Sequence, residues 1–211
     1  MRPRSVAYIG LGANLAGPRR QVERAVDELA ALPKSRLTAV SRLFRTAPVG
    51  PQDQPDFINA AARLETGLAP EALLHAMQHI ERAHGRVRSG TRWGPRTLDL
   101  DLLLYDDLHR ALPGLDLPHP EIARRAFVLV PLAEIAPAGL YIPGQGRLDL
   151  LLAAIDQAGV EPLDAAEQAG GQHAGPVGAD GARRDERSGS DPEAGASAAG
   201  VAGMSARGAL S

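Results

Sequence analysis

Cysteine is absent from this 211-residue chain. Disulfides and thiolate chemistry are therefore excluded, and the composition suits a reducing compartment. Aromatic side chains are scarce, with three Phe, three Tyr and one Trp, so the place of each is informative. Charge of one sign is not in excess either. The formal net charge is −2, which argues against a protein whose main role is to coat nucleic acid or an anionic membrane. No apolar run reaches the length of a membrane span. The opening MRPRSVAYIGLGANL has basic residues and then a short apolar run, without the length of a secretory signal. It is expected to be the first strand of a cytoplasmic protein. Known nucleotide motifs are missing as well. There is no GxxxxGKS/T, and in YIGLGANLAG the third glycine of GxGxxG is replaced by Leu15. Neither a P-loop nor a Rossmann site is supported, and HExxH and GxSxG do not occur.

Hydrophobic residues make up 44% of the chain, enough for a real core. The composition shifts near residue 160. From Glu161 to Ser211 the chain is mostly Ala, Gly, Ser, Asp and Arg. Such a segment buries too little apolar surface to offset its ordering entropy, so a disordered tail is expected after a domain of residues 1–160.

Within that domain, Val6 to Leu11 reads as a strand. Arg19 to Leu32 has apolar residues at 22, 25, 26 and 29, a helical period. Leu37 to Thr46 is expected to be extended, and APVGPQDQPD, residues 47–56, to be a loop. Phe57 to Glu65 reads as a strand. Pro70 to His84 predicts a helix with a stripe of Leu73, Leu74, Met77 and Ile80, and proline suits its first turn. Gly85 to Pro95 is a second loop before the strand DLDLLLY. The order β-α-β-β-α-β predicts a ferredoxin-like α+β sandwich, an antiparallel sheet with helices packed on it. Further on, Pro120 opens a helical stretch to about Ala136, interrupted near Arg125 and Pro131, and Leu148 to Ala158 predicts a last short helix.

The charged residues gather around one strand. In the alternating segment from Thr97 to Tyr105, Leu98, Leu100, Leu102 and Leu104 are expected to face the core. Asp99, Asp101, Leu103 and Tyr105 are expected on the other side. Two carboxylates on one strand face repel unless a cation lies between them. The preceding loop, GRVRSGTRWGPR, carries Arg86, Arg88, Arg92 and Arg96 and no acid. A polyphosphate with Mg²⁺ satisfies both sets: carboxylates hold the hard cation and arginine forks neutralise the phosphates. A solvated basic loop is the plainer alternative. His119, before Pro120, suits either a phosphate contact or a helix cap. Glu81 is either an exposed helix residue or an aid in ordering the arginines. Phe57 and Phe127 adjoin the suspected site, where a flat heterocycle could stack between two rings. Asn59 shares a strand face with Phe57, and its amide suits a heterocycle edge.

These segments resemble a known family. YIGLGANL, SRLFRTAPVGPQDQPDFINAA, GRVRSGTRWGPRTLDLDLLLY and LPHPEIARRAFVLVPLAEIAP, within about residues 5 to 158, are similar to 6-hydroxymethyl-7,8-dihydropterin pyrophosphokinases of folate biosynthesis. The resemblance implies a Mg²⁺-dependent transferase. ATP would donate a diphosphate to the hydroxymethyl group of the dihydropterin, and AMP would leave. It implies two Mg²⁺ ions on Asp99 and Asp101, with Arg86 and Arg96 as catalytic arginines. Gln78, Glu81, Arg88, Arg92, Trp93, Leu102, His119 and Arg125 would serve ATP. Thr46, Pro48, Gly50, Phe57, Asn59 and Phe127 would serve the pterin. Gly114 and Asp116 depart from the basic and hydroxyl residues that some members place toward ATP; Arg124 is a candidate substitute. The partners expected are these small molecules, with no nucleic acid and no membrane, and a monomer. Two other classes remain open on the residues alone. One is a different Mg²⁺-dependent phosphoryl or nucleotidyl transferase on the same fold. The other is an RNA-binding sheet, although acids on its strand would repel RNA.

Overall fold

The first strand shows how this sheet comes to have one packed face and one open face. In β1 (Ser5–Ala13), Ala7, Ile9, Leu11 and Ala13 are buried on one side. The other side carries Tyr8 and then only Gly10 and Gly12. The fold is that of a computed structural model, which describes residues 4–50, 53–86, 94–112 and 114–163. After β1 come α1 (Pro18–Ala30), β2 (Ser35–Val40), β3 (Phe44–Thr46), β4 (Phe57–Thr66), α2 (Pro70–Ala83) and β5 (Asp99–Tyr105). The antiparallel sheet runs β3-β4-β1-β5, with β2 also paired to β4. This is the expected ferredoxin-like arrangement. Helix α1 buries Val22, Ala25 and Leu29, and α2 buries Leu73, Met77 and Ile80, against the same core as the odd residues of β1. These are the periodic positions read from the sequence.

The opposite face is covered only in part. A 3₁₀ turn (Ile122–Arg124) leads into α3 (Ala126–Ile135), and α4 (Leu148–Ala154) follows. With Tyr8, Leu103, Leu104 and Ile142 they enclose a second core. A short hairpin, β8 (Tyr141–Ile142) with β9 (Gly146–Arg147), adds Ile142 to this layer, while a second, β6 (Arg110–Leu112) with β7 (Leu115–Leu117), buries Leu115 and Leu117 in the helix-side core. None of these four strands is evident from the sequence pattern.

Four expectations need correction. The segment 37–46 is two strands. Ser41 replaces the ladder between them: its Oγ accepts the Ala61 N–H at 2.9 Å, and its own N–H donates to the Ala61 carbonyl at 2.9 Å. Pro131 does not interrupt α3, which continues through it, whereas Arg125 does break the segment, in extended conformation. The fold runs past residue 160. Glu161–Pro162 forms β10 on β3, and Leu163 is buried in the main core. The rest of the expected tail, residues 164–211, lies outside the described residues. Finally, β5 does not alternate to its end. Ile9 pairs with Leu102 but Tyr8 pairs with Leu104, so Leu103 is an extra residue. Such a bulge reverses the faces beyond it. Leu104 joins the second core and Tyr105 the helix-side core, the reverse of simple alternation.

Candidate active site

Beyond the end of α3 the open face of the sheet forms a cleft of about 290 Å³. Its floor exists because β1 presents glycines there. A Cβ on Gly12 would stand 3.1 Å from Asn59 Oδ1, and one on Gly10 would stand 3.4 Å from the Leu103 side chain. Gly12 lies opposite Asn59 in the ladder, so the missing side chain makes room for the amide. In the sequence the floor shows only as two glycines at strand period, which acquire a use once Asn59 and Leu103 are known to face them.

One half of the cleft is aromatic and amide. Phe57 and Asn59 project from β4, and Phe127 from the first turn of α3. The Arg125 guanidinium lies 5.8 Å from the centroid of the Phe127 ring. Asn59 is buried, and its Nδ2 donates to Thr46 Oγ1 at 2.8 Å. In this orientation Oδ1 lies toward the β1 glycines.

The other half is charged. Asp99 and Asp101 share the cleft face of β5. Asp99 is held by Arg86 Nη1 at 2.6 Å and by the guanidinium of Arg96. Arg86 also pairs with Glu81. Glu81 is buried, and its Oε1 accepts the Leu100 N–H at 2.9 Å. Burial pushes the Glu81 carboxyl above the usual range, against the pull of that N–H and of Arg86. Asp101 instead faces His119, whose Nε2 lies 4.0 Å away. Burial first, and then the charge of Asp99, push the Asp101 carboxyl upward. His119 Nδ1 accepts the Glu121 N–H at 3.1 Å, which leaves the ring proton on Nε2, the nitrogen facing Asp101.

The chain matches the family model for 7,8-dihydro-6-hydroxymethylpterin-pyrophosphokinase (HPPK) over residues 8–137. The chain belongs to this family. It is 51% identical over 159 residues to the 2-amino-4-hydroxy-6-hydroxymethyldihydropteridine pyrophosphokinase of Pseudomonas aeruginosa, covering 75% of this chain and 97% of that one. Identity to the protein of the same name from Haemophilus influenzae is 47% over 137 residues, covering 65% of this chain and 84% of that one. Among solved structures, wild-type Plasmodium falciparum HPPK-DHPS with STZ-DHP aligns with a TM-score of 0.57 at 12% identity. That alignment covers 71% of this chain and 43% of the other, so the chain spans less than half of that longer protein. At this identity the likeness bears on the fold alone.

The HPPK fold gathers most of the expected residues around one cleft. Thr46, Phe57, Asn59, Arg96, Asp99, Asp101, His119, Arg125 and Phe127 all line it. Glu81 and Arg86 support it from α2 and just beyond. Pro48 and Gly50 belong to the Pro-rich loop at its rim but do not line it. Gln78 is half-buried on α2, also outside the lining. Leu102 is 3% exposed, with its side chain in the helix-side core, and does not line the cleft. Arg88, Arg92 and Trp93 lie outside the described residues. Asp116 is exposed on β7, and Arg124 lies in an adjoining cleft, 3.7 Å from Glu121. Sequence reasoning missed Gly10 and Gly12, and also Ala47, Val49 and Leu103, which line the same cleft.

Proposed function

We propose that this cleft binds ATP and 6-hydroxymethyl-7,8-dihydropterin together, with the residues in the roles given below. As a member of its family, the chain is a pyrophosphokinase of folate biosynthesis. The observation that carries the reading is the meeting of two unlike sets in one cleft. Phe57, Asn59 and Phe127 suit a flat heterocycle, while Asp99, Asp101, Arg96 and His119 suit a metal-bound triphosphate.

The pterin would lie between the Phe57 and Phe127 rings, which gain area and stacking contact. Asn59 would read its edge through Oδ1, because Nδ2 is already bonded to Thr46. Backbone groups near Thr46, Pro48 and Gly50 would complete the edge. The hydroxymethyl oxygen attacks the β-phosphorus of ATP, the bond from that phosphorus to the α-phosphate oxygen breaks, AMP leaves, and the hydroxyl proton is lost. Arg86, Arg96, His119 and Arg125 would neutralise the triphosphate as charge moves to the departing oxygen. Arg88, Arg92 and Trp93 would add contacts from the Gly-rich loop, and Gln78, Glu81 and Leu102 would border the nucleotide. No strong general base is required, since positioning and charge stabilisation lower the barrier.

Asp99 and Asp101 suit Mg²⁺ by their chemistry, being two oxygen donors on one strand face. Among the described residues there is no group of three or more metal-ligating side chains. The protein would thus supply two carboxylates and leave the other positions to phosphate oxygens and water, the pattern Mg²⁺ favours. When bound, two such ions would neutralise the triphosphate and activate the attacking hydroxyl. No helix among the described residues is long and apolar enough to cross a membrane. The reading takes ATP and the dihydropterin as the partners of a cytoplasmic monomer, without nucleic acid.

The test is to incubate the protein with ATP, Mg²⁺ and 6-hydroxymethyl-7,8-dihydropterin and separate the nucleotides. Pterin-dependent AMP without ADP is expected. ADP in its place would overturn diphosphate transfer.

A further inference from the structure

Asn14 follows the last residue of β1 and is 2% exposed. A buried carboxamide must pair its acceptor and its donor, or folding bears the cost of the unpaired group. Here both ends are paired, and across two distant segments. Oδ1 accepts the Arg96 N–H at 2.7 Å. Nδ2 donates to Gln54 Oε1 and to the Pro55 carbonyl, both at 3.1 Å. The Asn14 N–H donates to the Arg96 carbonyl at 2.9 Å. Because the Arg96 N–H can only donate and the Pro55 carbonyl can only accept, the amide has one orientation.

The two segments serve different halves of the cleft. Arg96 reaches Asp99. Gln54 and Pro55 lead directly into Phe57, at the start of β4. Asn14 does not itself line the cleft. We propose that Asn14 is a positioning residue that locks the Pro-rich loop to the Arg96 segment, so that the aromatic half and the charged half are set by one side chain. The proposal rests on the two-substrate reading of the cleft.

Two variants separate its arms. Asn14→Asp is nearly isosteric and keeps the acceptor for the Arg96 N–H, but it turns an oxygen toward the Pro55 carbonyl. Asn14→Ala loses both arms. AMP formation is followed at varied pterin and varied MgATP, per folded protein, beside a melting curve. For Asn14→Asp, KM for the pterin rises about tenfold while KM for ATP changes less. For Asn14→Ala, kcat falls about 10- to 100-fold, the scale expected when reacting groups are misplaced by about 1 Å. If Asn14→Ala does not fold, the Asn14→Asp split alone decides. A residue with only a structural role would lower the melting temperature and leave kcat and both KM values of the folded protein unchanged, and that result overturns the proposal. A parent chain that forms no pterin-dependent AMP overturns the reading of the cleft and this role with it. A normally active parent beside unaltered Asn14 variants overturns the role alone.

Discussion

The two halves of the cleft are built on opposite terms. On the aromatic side, Asn59 is bonded to Thr46, and its neighbour Gly12 has no side chain to crowd it. On the charged side, the Asp99 carboxylate already holds both Arg86 and Arg96. On the proposed reading, a metal ion at Asp99 would compete with those arginines, and an arginine so displaced would be free to meet phosphate. On that reading the first half would be ready before its ligand arrives, and the second would have to exchange partners. Preorganisation suits a rigid ring, whereas exchange suits a charged chain that brings its own cations.

The largest expected effect comes from removing the group at the centre of that exchange. Asp99→Ala should lower AMP formation by about a thousandfold or more, since several kcal/mol of charge stabilisation are lost. Its circular dichroism should stay that of the parent, and an active variant would remove Asp99 from the metal site. Gly12→Ala attacks the preformed half. Its Cβ would press on Asn59, so KM for the pterin should rise about tenfold and stability should fall by about 1–3 kcal/mol. An unchanged KM would mean that Asn59 does not read the ring. Arg86→Ala should split the two roles of the arginine. Titration calorimetry without nucleotide should give a few-fold tighter Mg²⁺ binding, as Asp99 loses a competitor, while kcat falls; weaker Mg²⁺ binding would break the idea of exchange. The smallest effect is on stability against pH. Burial raises the Glu81 carboxyl in the folded chain, so the protonated form is the favoured one. Its contribution is full below the unfolded value of about 4.3 and is lost as pH rises through the folded value. Melting curves should therefore show Glu81→Gln gaining on the parent over that rise, and a constant difference would contradict it.

How much of this could be read in advance differs between the same two halves. The sheet order followed from hydrophobic period, and the main core residues were those with clear period. Asp99, Asp101, Phe57, Asn59 and Phe127 were legible because carboxylates and scarce aromatics stand out against an apolar or featureless background. The glycine floor was not, because an absent side chain has a use only once its neighbour across the ladder is known. Asn14 was not legible either, since its partners lie 40, 41 and 82 residues away. Residues 161–163 read as tail because one leucine after Glu161 and Pro162, at the edge of an Ala- and Gly-rich segment, is too faint a signal, although it is buried in the main core. The bulge at Leu103 left no mark, because every residue from Leu102 to Leu104 is leucine.

That bulge divides the labour along a single strand. Up to Leu102, β5 has a dry side and a wet side, and substitutions on the wet side can be judged by their chemistry. Past Leu103 both sides are dry, one against each apolar layer. A one-residue deletion there would take out the bulge and leave Leu104 against the second core and Tyr105 against the helix-side core, now by plain alternation. What would be lost is the Leu103 side chain itself, which lines the cleft beneath Gly10. The aspartates would keep their places on the sheet, and the loss would fall on the wall beside them, where the sequence is most monotonous.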